Sequence, residues 1–335
     1  MFRKQTIPVS VKGINAKVHL VSTGAVSVKT RFRDARFKGL PAMIDFMLDR
    51  KFTEWMPIWV MIIEHPEGIF IIDTGENARV NDKGYLKSSG FFENWFNTTQ
   101  FKFVVNANEE IGPQLQQLNI DIKKVKAVVL THLHLDHIDG LHYFPSTEIL
   151  VNKYEWEKPF GDLPKLYPSW FKPTLVDLDE SLDIFEHTKS LTAAKDIFLI
   201  QTPGHTYGHC SVLFKTDDFD IFFGADVCYS QHQLLENKYS GANCSHQLAE
   251  DTYKKVIAFI KSRKTIFIPS HDADDGKEVN HGSLECGEQD RGQRPGSAVH
   301  PTAYRFGKHC QRKIDRRHAW RRPLSPQDRD IRLRA

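Results

Sequence analysis

The sequence predicts a layered α/β fold, on two observations. Short β-branched or aromatic runs alternate with helical stretches along most of the chain. Residues able to carry chemistry fall just past the ends of several runs, where sites gather in open α/β sheets. The chain has 335 residues, 40% hydrophobic and 26% charged, and a chain of that size buries a sizeable core. This composition excludes collagen, coiled-coil and mucin-like chains. No run approaches about eighteen consecutive apolar residues, so no transmembrane helix is expected.

The strand candidates, in order, are Val18–Val21, Pro57–Glu64, Gly68–Asp73, Ala127–Thr131, Glu148–Asn152, Ile197–Gln201, Ser211–Lys215, Ile221–Gly224 and Thr265–Pro269. Most have Gly, Pro, Asp or Asn near a boundary. Ile197-Phe198-Leu199-Ile200 is continuously apolar, which suits a strand covered on both faces. The clearest helix is Asp251–Arg263, where Tyr253, Val256, Ile257 and Ile260 fall at i, i+3, i+4 and i+7. A second helix is expected from near Asp136 through Leu141, and a third over Glu109–Leu118.

The net charge of +3 is unevenly spread. Residues 277–335 carry 14 Lys/Arg and 7 Asp/Glu, a balance of +7; residues 1–276 carry 31 and 35, a balance of −4. The body is therefore no obvious nucleic-acid binder. In residues 277–335, Val, Ile, Leu and Phe supply only 8 of 59 positions, too few for a core. We expect a domain over 1–276 and a basic tail over 277–335, disordered or loosely attached. The five cysteines, Cys210, Cys228, Cys244, Cys286 and Cys310, are widely spaced and form no CxxC. They predict neither a disulfide framework nor a thiolate zinc site. The first residues lack the apolar core of a secretory signal, so a reducing cytoplasm is expected.

One segment concentrates chemistry: Thr131-His132-Leu133-His134-Leu135-Asp136-His137. It follows a strand candidate directly. In an extended strand end His132 and His134 point the same way. A turn into a helix then presents Asp136 and His137 to a neighbouring point. Three further pieces follow strands: Thr202-Pro203-Gly204-His205, Gly224-Ala225-Asp226 and Ser270-His271-Asp272. Together they offer seven donors: His132, His134, Asp136, His137, His205, Asp226 and His271. Imidazole suits zinc, iron, cobalt or nickel, and carboxylate oxygens broaden the choice.

This ordered set, spread over about residues 15–275, resembles the metallo-β-lactamase superfamily. Ile71-Ile72-Asp73-Thr74-Gly75 looks like that superfamily's early strand and turn. The resemblance implies an αββα sandwich with a dinuclear metal site at strand ends. Asp226 disfavours the class that uses a metal-binding Cys instead, and His134 disfavours the flavodiiron pattern, which has Glu there. The closest resemblance is to N-acyl homoserine lactone lactonases, the quorum-quenching hydrolases. Asp226-Val227-Cys228-Tyr229 reproduces that family's Tyr three residues after the bridging Asp, and Met56-Pro57-Ile58-Trp59 also looks like that family. Leu135 stands where the family often has Phe.

The resemblance implies two divalent ions, zinc foremost, with iron, cobalt or manganese also compatible. His132, His134 and His205 would hold one; Asp136, His137 and His271 the other; Asp226 would bridge. A hydroxide shared by the ions would attack the lactone carbonyl, since a single catalytic zinc already brings its water to a pKa of about 7. Tyr229 would donate to the developing oxyanion, and Asp136 would pass a proton to the leaving oxygen. Asp73 is the candidate for orienting an imidazole. His209, His142, Asp139 and Asp272 are read as structural. The acyl wall is sought in Met43–Trp59, with Phe46, Met47, Phe52, Trp55 and Met56, and in Phe91–Phe103, with Phe92, Trp95, Phe96 and Phe101.

The implied partner is a small-molecule lactone. Neither nucleic acid nor membrane is expected, and the oligomeric state stays open, a homodimer included. Two rivals remain. The same donors serve a glyoxalase-II-like thioesterase or a tRNA-processing nuclease. A metal-dependent sensor whose basic tail contacts nucleic acid is the other.

Overall fold

The computed structural model describes residues 4–273, so the expectation for the 277–335 tail lies outside the described residues. Eight strands form the first sheet: β1 (Lys4–Val11), β2 (Ile14–Val28), β3 (Met56–His65), β4 (Gly68–Ile72), β5 (Phe101–Val104), β6 (Val125–Leu130), β7 (Glu148–Asn152) and β8 (Thr174–Val176). Their order is β1-β2-β3-β4-β6-β7-β8, with β5 pairing β2. Pairing is antiparallel as far as β4 and parallel from β4 to β8. The second sheet holds β9 (Glu180–Leu182), β10 (Phe185–Ser190), β11 (Ile197–Gln201), β12 (Cys210–Lys215), β13 (Asp220–Ala225) and β14 (Thr265–Pro269), in the order β14-β13-β12-β11-β10-β9. Only β13 and β14 run parallel there.

The helices are α1 (Thr30–Arg33), α2 (Leu40–Leu48), α3 (Phe91–Gln100), α4 (Ile111–Gln117), α5 (Leu135–Ile138), α6 (Lys153–Glu157), α7 (Gln231–Leu235) and α8 (His246–Ser262). Strand alternation explains the layers. Ile197 and Leu199 of β11 face the first sheet, beside Trp59, Met61, Phe70 and Val129. Phe198 and Ile200 face the other way, onto Tyr253, Val256, Phe259 and Ile260 of α8. The outer face of the first sheet is covered in the same manner: Ile62, Ile71 and Val128 pack with Ile111 and Leu115 of α4. The central strands are thus dry on both faces, which is why they read as unbroken apolar runs. The result is the αββα sandwich that the sequence predicted.

The differences have local causes. The strand expected over Gly68–Asp73 stops at Ile72, because Asp73 turns into the left-handed region at φ 63°. The helix expected over Asp251–Arg263 begins at His246, five positions earlier, where the Ser245 side chain accepts the Leu248 N–H at 3.3 Å. The helix expected through Leu141 ends at Ile138 and continues as a tighter turn over Asp139–Tyr143. Among the described residues no helix is long and apolar enough to cross a membrane.

Candidate metal centre

Four strand ends converge on one spot. The segment after β6 brings His132 and His134, and α5, which begins at Leu135, brings Asp136 and His137. The loop between β11 and β12 brings His205. Gly204 is required there: its φ is +143°, and a Cβ would lie 2.5 Å from the Cα of Ala249 in α8. Asp226 follows β13 and His271 follows β14.

The seven predicted donors come together, all but His134 and Asp136 of them buried. His132, His134 and His205 form one group whose candidate ligand atoms lie within 4.8 Å of one another; Asp136, His137 and His271 form another. The His134 Nδ1 lies 3.0 Å from His132 Nε2 and 2.9 Å from His205 Nε2. Asp226 stands between the groups. Its Oδ2 is 3.3 Å from His205 Nε2, and its Oδ1 is 3.3 Å from His137 Nε2 and 3.4 Å from His271 Nε2. Asp136 Oδ2 reaches to 3.5 Å from His271 Nε2.

The far side of four imidazoles is anchored. His137 Nδ1 donates to Asp73 Oδ2 at 2.7 Å, His271 Nδ1 to the Pro57 carbonyl at 2.9 Å, and His134 Nε2 to the Phe160 carbonyl at 2.9 Å. His132 Nδ1 meets Thr131 Oγ1 at 3.1 Å, and that hydroxyl donates to Asp73 at 2.8 Å. Asp73 therefore orients two rings, one directly and one through Thr131. Anchoring one nitrogen as a donor leaves the other with a lone pair aimed at the centre.

These residues fit a pair of cations. His137 Nε2 and Asp226 Oδ1, both at the centre, are buried and satisfy no hydrogen-bond geometry, and a buried polar atom in that state is costly. Burial, with neighbouring imidazoles, holds His132 and His205 well below the usual histidine range, so their lone pairs are free. Burial opposes charge on His137 and His271 too, yet Asp226 and its neighbouring carboxylates hold both above that range. The carboxylates demand positive charge at this point. A nitrogen-rich set with carboxylate is what zinc and its neighbours in the series take.

The residues read as structural are so placed. His209 is fully buried, accepts the Asp226 N–H at 3.1 Å through Nε2 and meets the Thr202 carbonyl at 3.0 Å through Nδ1. It fixes the turn that carries Asp226. Asp139 accepts from the Tyr85 hydroxyl at 2.5 Å, the His142 Nδ1 meets the Asp139 carbonyl at 3.0 Å, and Asp272 accepts the Gln231 N–H at 2.8 Å.

Tyr229 is buried, with its ring stacked 5.4 Å from that of His271, and burial raises its phenol well above the usual range. It lines a cavity of about 570 Å³ together with His134, Asp136, His205, Asp226 and His271. The remaining wall is mostly apolar. Of the predicted wall residues, Phe46, Phe92, Phe96 and Phe101 line it; Met47, Phe52, Trp55, Met56 and Trp95 do not.

Sequence reasoning missed Glu155. Its carboxylate, on α6, accepts the Leu133 N–H at 3.2 Å, the Thr206 hydroxyl at 2.7 Å and the Gly208 N–H at 3.1 Å. It ties the loop of His132 and His134 to the loop of His205. Burial pushes the carboxyl up to about 7. In sequence, Glu155 sits in Lys153-Tyr154-Glu155-Trp156-Glu157 and reads as a solvated helix face.

This chain is similar to several known proteins. The N-acyl homoserine lactonase AiiA of Bacillus thuringiensis subsp. kurstaki is 24% identical over 224 residues, which cover 66% of this chain and 84% of that protein. The lactonase AttM of Azorhizobium caulinodans is 28% identical over 237 residues, covering 65% and 83%. Among solved structures, an N-acyl homoserine lactone hydrolase with N-hexanoyl-L-homoserine at its catalytic metal centre aligns with a TM-score of 0.60 at 19% identity, covering 82% of this chain and 95% of that one. The dizinc quorum-quenching lactonase AidC aligns at 0.55 and 15% identity, covering 81% and 90%. The family model described as the metallo-beta-lactamase superfamily matches residues 53–271, from just before β3 to the last candidate donor, and the chain is a member of that superfamily.

Proposed function

We propose that this protein is an N-acyl homoserine lactonase: a hydrolase that opens the lactone ring with two divalent ions, zinc being the metal the donors suit best. The observation that carries the reading is the apolar cavity of about 570 Å³ that ends on five of the seven donors, His134, Asp136, His205, Asp226 and His271, and on Tyr229. A lactone head fits the polar end and an acyl chain the aromatic wall. The curated relatives bear the same activity in their names.

His132, His134 and His205 would hold one ion, and Asp136, His137 and His271 the other, with Asp226 offering one oxygen to each. When bound, such ions acidify water and polarise a carbonyl. The protein's own groups do the rest. The Tyr229 phenol, kept protonated by burial, donates to the oxyanion that forms as the lactone carbonyl becomes tetrahedral. Asp136, on the cavity side, takes up the proton that the attacking water loses and passes it to the leaving alkoxide. The aromatic wall holds the acyl chain and keeps bulk water from the ring. We place the reaction in a reducing cytoplasm, where the thiols of Cys210 and Cys244 persist.

The test is kcat/KM on N-acyl homoserine lactones beside a glutathione thioester, with elemental analysis of the same samples. Lactone turnover should dominate, with two ions per chain, and Asp226→Ala should retain at most one. Faster thioester cleavage would hand the reading to the glyoxalase-II-like alternative.

A further inference from the structure

The α2 helix is apolar on every side. Ala42 and Phe46 pack inward, while Leu40, Met43, Ile44, Met47 and Leu48 are exposed, Leu48 to 75%. Its single charge, Asp45, pairs with Arg31 and Arg36. A helix that is hydrophobic all round belongs in a core or a membrane, and among the described residues no element covers the outer side of α2. Facing it across the cavity, α3 exposes Phe91 to 91% and Phe92 to 64%. Among the described residues, eleven of the eighteen exposed large hydrophobics lie within residues 37–55 and 91–104, which makes a patch rather than scatter.

A basic cluster borders this patch. The Lys29 and Lys102 ammoniums sit 4.1 and 3.9 Å from the centroid of the same Phe52 ring, and Arg50 and Lys51 are exposed just before it. Among the described residues no ion pair joins any of these four to a carboxylate. Residues 29–55 carry 7 Lys/Arg against 4 Asp/Glu, a balance of +3, in a body whose balance is −4. Two ammoniums on one ring without a counter-charge are poised for an anionic surface.

We propose that this face docks on an anionic phospholipid bilayer. α2 and the leading end of α3 lie in the headgroup boundary, and Lys29, Arg50, Lys51 and Lys102 meet the phosphates. The sequence predicted no membrane because it holds no spanning segment; a helix lying in the interface needs none. Charge decides against a second copy of this chain. A two-fold contact sets the same patch on both subunits, which would bring unpaired bases against unpaired bases. Met43 and Phe46 of α2 and Phe92 and Phe96 of α3 wall the cavity. On the lactonase reading, an acyl chain partitioned into the bilayer then enters the site without crossing water.

The full, metal-loaded chain is sedimented with vesicles of phosphatidylcholine alone or with about a third phosphatidylglycerol. Binding is expected to the mixed vesicles, with at least about tenfold less to neutral ones and in high salt. The double variant Ile44→Asp and Leu48→Asp, at exposed positions away from the cavity wall, should lose about tenfold in binding while hydrolysing a short, soluble lactone at the parent rate. Lys102→Glu should weaken binding to mixed vesicles alone. Absence of sedimentation overturns the proposal. So does sedimentation that the double variant leaves intact, which would assign binding to residues 277–335. A dimer in analytical ultracentrifugation that the double variant dissolves would assign the face to a second copy. Sedimentation is read without turnover, so its failure and the failure of the lactonase reading are separate results.

Discussion

At the scale of single residues, the site depends on two non-glycine positions held in the left-handed region. Asp73 has φ 63° and Ala225 has φ 46°. Each such residue costs on the order of 1–3 kcal/mol and persists only where its surroundings fix it. Asp73 leaves the β4 ladder and turns its carboxylate onto Thr131 and His137. Ala225 swings Asp226 out of β13 to the midpoint between the donor groups, and the His209 ring holds it there. Strain is thus spent on aiming two carboxylates. Tyr229 has a different task, since its backbone is held by Gln233 at 2.6 Å and its ring by His271. Tyr229→Phe keeps the packing and removes the donor. Turnover should fall about 10²-fold, with metal content unchanged; an unaltered kcat would remove the phenol from the chemistry.

At the scale of elements, what the sequence reveals depends on how many faces an element buries. β7, β11 and β14 match their predicted bounds residue for residue, because short apolar runs between breakers admit one reading. β1 escaped notice: Ile7, Val9 and Val11 point inward, but Pro8 and polar neighbours break the run, and only an edge strand tolerates them. α2 escaped for the opposite reason, having no polar side to give it a period. The donors were legible because each stands in a short motif at a strand end. Glu155 was not, because its partners are two backbone N–H groups and a hydroxyl contributed by loops far along the chain. Glu155→Ala should free both loops and lower the zinc affinity of the stripped protein about 10–100-fold, measured by competition with a chromophoric chelator. Glu155→Gln should recover only part of this, because its amide opposes one of the N–H groups. Equal affinity in all three proteins would reduce Glu155 to packing.

For the whole molecule, the described body accounts for the fold, both donor groups and the cavity without any residue beyond 273. The charge balance agrees, since the basic excess of the sequence lies in residues 277–335. We therefore expect the chain ended after Gly276 to fold, bind two ions and hydrolyse lactone at the parent kcat/KM, judged by circular dichroism, elemental analysis and kinetics. An insoluble product, or loss of either ion, would make the tail part of the catalytic body.

The donors are divided between the sheets. His132, His134, Asp136 and His137 follow strands of the first, while His205, Asp226 and His271 follow strands of the second. Neither leaf owns a complete nest. Capturing ions would therefore be a checkpoint on assembly: the second nest stays unfinished until His271 is made and β14 has zipped alongside β13. A chain that stalls before that point, or whose leaves fail to close, would present only an incomplete set of donors.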